Sequence, residues 1–314
     1  MEIDTDIAVI GAGLAGLTAA AALHEAGQRV VVVEKSRGTG GRLATRRIGG
    51  LRFDHGAQYI RTNDPDFAAA LARLRAAGAA APWEAVAGGG ALVGLPGMSA
   101  LVKPLAAGLD LRTGVEVATA TRGPEGWTLA DGTGQAIARA GTLVSAIPAP
   151  QARRLLADLP LSGALDAVRF APNWTLMAAF DTPLDLPETV LDAEADLSWI
   201  ARDAGKPGRA SAPETWVAQA SAAWSAAHLE EDRETACAGL LALLAARTSA
   251  PLPDPVHASA HRWRYAQAEV PLGAPCLADP GARVAIAGDW CLGARAEHAW
   301  RSGQAAADAV LAFA

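Results

Sequence analysis

Two adjoining runs decide the fold: Ile7-Ala-Val-Ile-Gly11-Ala12-Gly13-Leu-Ala-Gly16, and, after an alanine-rich stretch, Arg29-Val-Val-Val-Val-Glu34-Lys35-Ser36-Arg-Gly38-Thr-Gly40-Gly41-Arg42. The β-branched run predicts a buried strand, the glycines a turn into a helix, and the second apolar run a strand ending on Glu34. That is a βαβ unit with a dinucleotide fingerprint. Gly11 makes the tight turn, Gly13 lets backbone approach a pyrophosphate, and Gly16 lets the helix lie close to the strand. The first amides of the helix then face the anion. Glu34 stands about 20 residues beyond the glycines, where a carboxylate accepts from ribose hydroxyls. Gly38, Gly40, Gly41 and Arg42 add a second flexible turn with a forked cation, suited to a phosphate pair.

With 314 residues and 51% hydrophobic content, the chain can bury the core of one large domain or two intertwined ones. A net charge of -6 argues against nucleic acid or an anionic membrane as main partner, since both repel an acidic surface. Residues 1–6 are acidic and lack the basic and apolar regions of a signal peptide. The richest apolar run, Thr235 to Ala246, is about half a membrane span. A cytoplasmic protein is expected. Cys237, Cys276 and Cys291 form no Cys-x-x-Cys pair, which removes a redox disulfide and leaves small buried side chains in a reducing compartment. The six histidines, His24, His55, His228, His257, His261 and His298, show no metal-ligand spacing.

Further along, Gly49 to Tyr59 reads as a short strand followed by a turn at Gly56, where glycine suggests backbone against a flat ligand. Asp64-Pro65-Asp66 caps a helix with Phe67, Leu71 and Leu74 at helical spacing. Ala87 to Gly97 is a glycine-rich connection or lid. A helix is expected from Gly97 to about Ala107, then strands around Leu109 to Val117, Gly126 to Ala130 and Gly141 to Pro148. Gln151 to Ala266 carries Trp174, Trp199, Trp216, Trp224 and Trp263 on strands such as Trp174 to Asp181 and Glu214 to Ala220. Such rings form the core of a separate sheet, with one or two able to wall a pocket for a planar substrate. Gly205-Lys206-Pro207-Gly208-Arg209 reads as a solvated turn. Arg283 to Trp290 reads as a strand delivering Gly288 and Asp289 at its carboxyl end, where doubly wound sheets bind ligands. A last helix, from about Glu297 to Leu311, offers its amino end and positive dipole nearby.

The combination of these pieces resembles the FAD-containing amine oxidase superfamily, and within it the bacterial renalases. The resembling stretches are Glu34 to Arg42, Gly56-Ala-Gln58-Tyr59, Gly97-Met-Ser-Ala100, Pro172-Asn173-Trp174, Trp199 to Arg202 with Lys206-Pro-Gly-Arg209, His261-Arg-Trp263, and Gly288-Asp289-Trp-Cys291 through Ser302-Gly-Gln304. The resemblance implies an α/β fold: a doubly wound, Rossmann-like FAD-binding domain over residues 1–62, 96–155 and 270–314, interleaved with an α+β substrate domain on an antiparallel sheet over 63–95 and 156–269.

It also implies non-covalent FAD, a 2- or 6-dihydro isomer of NAD(P)H as hydride donor, and dioxygen as acceptor, giving NAD(P)+ and hydrogen peroxide. Neither a nucleic acid nor a membrane partner is implied, and no protein side chain is expected to be catalytic, because a dihydropyridine stacked on a flavin needs mainly orientation. Carried over by position, Gly11, Ala12, Gly13, Gly16, Glu34, Lys35, Ser36, Gly41 and Arg42 hold adenosine and pyrophosphate. Gln58 and Tyr59 lie against the isoalloxazine, Val117 meets the adenine edge, Gly288 and Asp289 meet the ribitol or phosphate, and Ala296 opens the helix aimed at the pyrimidine ring. Asn173 and Arg295 are the expected substrate contacts, the alternative for Arg295 being a salt bridge with Glu297.

Two departures stand out: the Trp83 to Gly97 segment is shorter than in bacterial renalases, and His298 replaces a glycine. An amine oxidase or desaturase remains an alternative, though Lys35, Lys103 and Lys206 offer few candidates for a lysine at the flavin. A flavin-binding sensor without turnover is another.

Overall fold

The computed structural model describes residues 4–313, so the acidic lead at residues 1–3 lies outside the described residues. The chain forms two compact units. One takes the chain up to Gly41, Val102–Arg169 and everything from Ala268 onward; the other takes Arg42–Leu101 and Phe170–Gln267.

The first unit is built on a parallel sheet in the order Val284–Ile286, Ala136–Ser145, Asp4–Ile10, Val30–Glu34, Asp110–Thr113. Leu277–Asp279 extends it antiparallel at one end, and Gly126–Ala130 pairs antiparallel with Ala136–Ser145. The central strands are apolar on both faces: Val30 to Val33 and Ile7 to Ile10 are all buried. This is the mark of a sheet covered on both sides by helices. Helices Leu14–Glu25 and Ala296–Leu311 pack on each other. Their backbones come close because Gly303 faces the Ala15 carbonyl, where an added Cβ would sit 2.4 Å from the oxygen.

The second unit carries a five-stranded sheet in the order Thr189–Leu191, Leu197–Arg202, Glu214–Ala220, Arg169–Phe180, His257–Val270. The first four strands are mutually antiparallel. Alternation sorts their side chains. Trp174, Leu176, Ala178, Phe180, Ile200 and Trp216 pack toward Ala236, Leu240 and Leu244 of helix Arg233–Ala245, while Met177, Ala179 and Val217 pack with Phe53. Trp174 and Trp216 are thus core, as expected of aromatic strands.

Asp64 caps helix Pro65–Ala76, its side chain accepting from the Phe67 amide at 2.8 Å. The short strand expected within 49–59 is Leu51–Asp54, followed by a bend at Gly56, and it pairs with a preceding strand, Thr45–Ile48, in a hairpin turned by Gly49 and Gly50 at φ 55° and 85°. Two adjacent glycines with positive φ are what a tight hairpin turn requires. Local expectations differ in two other places. The helix expected over 97–107 is instead two short 3₁₀ turns, Met98–Val102 and Pro104–Ala106; Pro104, which has no N–H to donate, breaks the hydrogen-bond ladder between them. The strand leading to Asp289 ends at Ile286. Among the described residues no helix is long and apolar enough to cross a membrane.

Candidate functional site

In the first unit the glycine turn forms a cradle made of backbone. Gly11 sits at φ 102° with the Ala146 carbonyl 2.8 Å from where a Cβ would be, and Gly16 faces the Gly11 carbonyl at 2.0 Å. Only glycine fits either place. Gly13 is different: nothing lies within 4 Å of its would-be Cβ. It is the N-cap of helix Leu14–Glu25, and no side chain caps that helix. The open space and the uncapped amides together suit a phosphate. The second glycine turn closes on this cradle, the Gly40 amide donating to the Ala12 carbonyl at 2.8 Å. A Cβ on Gly41 would stand 3.3 Å from the Gly13 Cα.

Glu34 ends its strand 8% exposed, accepting from the Ala12 amide at 2.7 Å and the Ser36 amide at 2.8 Å, one on each oxygen. Each carboxylate oxygen keeps a second lone pair, enough for ribose hydroxyls. Lys35 is exposed beside it, and Val117 lies in the irregular chain after Asp110–Thr113, the strand that pairs with Val30–Glu34. At the far end of the sheet the Gly288 amide donates to Ser302 at 2.9 Å, and Asp289 is 6% exposed. Helix Ala296–Leu311 begins just beyond, again without a capping side chain. The residues present therefore fit a dinucleotide of the FAD type.

Arg295 is on the surface and pairs with Glu297 at 2.8 Å. His298 is half-buried, with its ring against Gly293. The three thiols are free; burial pushes Cys237 and Cys276 up and Cys291 up to about 12, so none is a thiolate nucleophile.

The second unit holds an assembly of side chains centred on Asp54. Its carboxylate accepts from Thr45 Oγ1 at 2.7 Å, the Met98 amide at 2.9 Å, Lys206 Nζ at 3.3 Å and Arg209 Nη2 at 2.6 Å. Lys206 also reaches Asp203 at 2.7 Å and the Gln58 side-chain oxygen at 3.2 Å. The side chains of Asp54, Asp203 and Lys206 are fully buried. Burial pushes Asp54 up, but the Lys206 and Arg209 cations outweigh it and hold the group below the usual carboxylate range. Asp203 moves the other way, raised by burial and by the neighbouring Asp54. The expected solvated turn at 205–209 thus carries a fully buried cation, Lys206, and a nearly buried one, Arg209. Both are paired with Asp54 from distant sequence as well as with the nearby Asp203, which local polarity does not reveal.

Above this hub runs the Asp54 to Tyr59 turn. Gln58 Nε2 donates to the carbonyls of Asp54 and Gly56, Gln219 donates to the Gly56 carbonyl at 2.8 Å, and Trp263 donates to the His55 carbonyl at 2.8 Å. Gly56 packs on the Arg42 carbonyl, which would lie 2.0 Å from a Cβ. Arg42 itself donates to the Ala266 carbonyl at 2.9 Å. Tyr59 stands 5.7 Å from Trp199 and 6.5 Å from Trp83, with the Arg61 guanidinium 5.2 Å over its ring. The Asn173 side chain is engaged internally, donating to the Ala220 carbonyl at 2.8 Å and accepting from Thr175 at 2.7 Å.

His55, His261 and Trp263 pack together, the two imidazoles 4.8 Å apart, and Arg46 lies 3.3 Å from His261. Burial and then the Arg46 cation lower His55 to about 4. Burial, His55 and Arg46 lower His261 to about 3.

Comparison with known proteins agrees with these features. The family described as flavin-containing amine oxidoreductase matches residues 85–311, and an NAD(P)-binding Rossmann-like domain matches 9–74. Curated relatives match over short segments. These include all-trans-retinol 13,14-reductase of Homo sapiens, 49% identical over 55 residues, which are 18% of this chain and 9% of that protein. Phytoene dehydrogenase of Streptomyces griseus is 47% identical over 58 residues, 18% of this chain and 11% of the relative. The aligned segment is thus about a tenth of those relatives.

Among solved structures a putrescine oxidase variant superposes with TM-score 0.75 at 16% identity, covering 99% of this chain and 100% of that one. Cyclohexylamine oxidase from Brevibacterium oxydans superposes with TM-score 0.69 at 17% identity, covering 98% of each. By a family match over most of its length, the chain belongs to the flavin-containing amine oxidoreductases, and its cofactor is FAD.

Proposed function

We propose that this chain is a renalase-like oxidase. It takes a hydride from 2- or 6-dihydro isomers of NAD(P)H and passes two electrons to dioxygen, so that donor, O2 and one proton give NAD(P)+ and hydrogen peroxide. Bound FAD supplies the two-electron chemistry. By the resemblance, Ala12, Gly13 and Gly41 line the pyrophosphate, Glu34 takes the ribose, and Lys35, Ser36, Arg42 and Val117 border the adenosine. Gly288, Asp289 and the amides from Ala296 onward meet the ribitol and the pyrimidine ring, where a helix dipole favours negative charge. Gln58 and Tyr59 meet the isoalloxazine by the same resemblance. Asn173 and Arg295 meet the donor, Asn173 after giving up its internal bonds. A water-soluble nucleotide donor fits a cytoplasmic location.

The observation that carries this reading is the state of the lysines. Lys35 and Lys103 are exposed, and Lys206 is fully buried, hydrogen-bonded to Asp54 and Gln58 and ion-paired with Asp203. Held by three groups of the protein itself, Lys206 is poorly placed to present a water for amine oxidation. The resemblance to renalase points the same way, since four of its stretches meet at or beside Asp54: Gly56 to Tyr59, Gly97 to Ala100, Lys206 to Arg209 and His261 to Trp263.

The test is stoichiometry. Supplied with 6-dihydro-NAD in air, the holoprotein is expected to form one NAD+ and one peroxide per O2 consumed. Peroxide formed from putrescine or cyclohexylamine, with none from the dihydro isomers, would make it an amine oxidase instead.

A further inference from the structure

We propose that Lys206 is a positioning residue, whose hydrogen bond to Gln58 locks the Gly56 to Tyr59 turn in the shape that receives the flavin ring. The inference rests on the reading above that this turn faces the isoalloxazine.

The side-chain amide of Gln58 is 5% exposed and could in principle sit either way round. Lys206 decides which. Its ammonium has only donors, so the Gln58 oxygen must face it, at 3.2 Å, and the Gln58 nitrogen must face the opposite side. There it meets two carbonyls, those of Asp54 and Gly56, and bridges both ends of the bend that carries His55. The bend is then supported from two more directions by Gln219 and Trp263. Without the ammonium, the Gln58 oxygen is buried with no donor. Turning the amide over would set that oxygen against two carbonyls, so neither orientation is satisfied.

The remaining Lys206 contacts explain why the charge can stay buried. Asp203 at 2.7 Å and Asp54 at 3.3 Å neutralise it, and the ring of Trp83 lies 5.1 Å from the ammonium. Arg209 shares Asp54 and ties the same loop to the Gly94 carbonyl at 3.2 Å. A lysine used only to neutralise two aspartates would not need a third, neutral acceptor. Lys206 places a hydrogen bond on a side chain that shapes the turn.

The experiment compares Lys206→Met, Gln58→Met, the double variant and Tyr59→Leu as purified holoproteins, reading the visible circular dichroism of bound FAD and the rate of anaerobic reduction by 6-dihydro-NAD. Lys206→Met and Gln58→Met are expected to change the flavin dichroism in the same sense and slow reduction about 10- to 100-fold, the size of effect that misplacement by about 1 Å produces. The double variant is expected to be no worse than either single one, because both break one linkage. Gln58→Met leaves Lys206 with both aspartates, so it carries the test if Lys206→Met does not fold. A native flavin signal in Gln58→Met would overturn the proposal. So would additive effects in the double variant. If Tyr59→Leu leaves the flavin signal native, the turn does not face the flavin, and the failure lies in the reading beneath.

Discussion

The glycine cradle of the first unit and the Asp54 hub of the second solve opposite problems. The cradle keeps protein away: Gly13 leaves open space, and its helix start is left without a capping side chain. It is a surface unfinished until a ligand arrives. The hub is built from within the chain. Two carboxylates, a lysine, an arginine and a glutamine pair with one another in near-complete burial, with Arg209 Nε and Asp203 Oδ1 left without a hydrogen bond. A change in the cradle should therefore damage binding and spare the fold, and a change in the hub should damage the fold first.

The largest effect is expected at Asp54. Asp54→Asn leaves Lys206 and Arg209 facing a neutral amide, and loss of one partner from a buried ion cluster costs about 3–5 kcal/mol. Urea unfolding of the apoprotein checks this; a loss within error of zero would mean the hub is not a source of stability. Acid should weaken the same unit. His55 falls from its ordinary 6.5 to about 4, so below pH 6.5 the unfolded chain takes up a proton that the folded chain refuses. Stability is whole above pH 6.5 and falls as pH drops toward 4, by about 3 kcal/mol for His55 at about 1.4 kcal/mol per unit. His261, lowered to about 3, adds in the same direction. A denaturant midpoint unchanged between pH 7 and 4.5 would contradict the buried, neutral imidazole pair.

The cradle should show the converse. Gly13 has φ -76° and nothing before its would-be Cβ, so Gly13→Ala is expected to change apoprotein stability by a few tenths of a kcal/mol. By filling the space for the pyrophosphate it should weaken FAD binding about tenfold or more, roughly 1.4 kcal/mol. Flavin titration and thermal melts on one preparation separate the two. The smallest effect belongs to Arg295, a surface side chain already paired with Glu297. Arg295→Ala should raise the apparent donor KM by up to about fivefold, the scale of an exposed ion pair, and leave bound FAD in place. Flavin lost on dialysis of that variant would assign Arg295 to the cofactor.

The same contrast explains what was legible in the sequence. Gly11, Gly13, Gly16 and Glu34 lie within one βαβ unit, where spacing along the chain is spacing in the fold, so their arrangement could be read directly. The hub joins Thr45, Asp54, Gln58, Met98, Asp203, Lys206 and Arg209, brought together by the hairpin, a 3₁₀ turn and a loop beyond the Leu197–Arg202 strand. Asp203 is a local partner of Lys206, but an aspartate three residues from a lysine is common in solvated turns, and the partners that bury the charge, Asp54 and Gln58, lie about 150 residues upstream. Asn173 and Arg295, read as substrate contacts, also have partners within the chain, which the sequence does not show for Asn173. A polar residue at a promising position is as often satisfied within the chain.

The central claim, that a wrongly reduced nicotinamide is the donor, is tested most directly by anaerobic stopped-flow mixing of the yellow holoprotein with each donor in turn. Rapid bleaching of the flavin is expected with the 2- and 6-dihydro isomers of NAD(P), and slow or no bleaching with ordinary NADH, putrescine or cyclohexylamine. Bleaching by an amine at a rate equal to or above that with the dihydro isomers would contradict it.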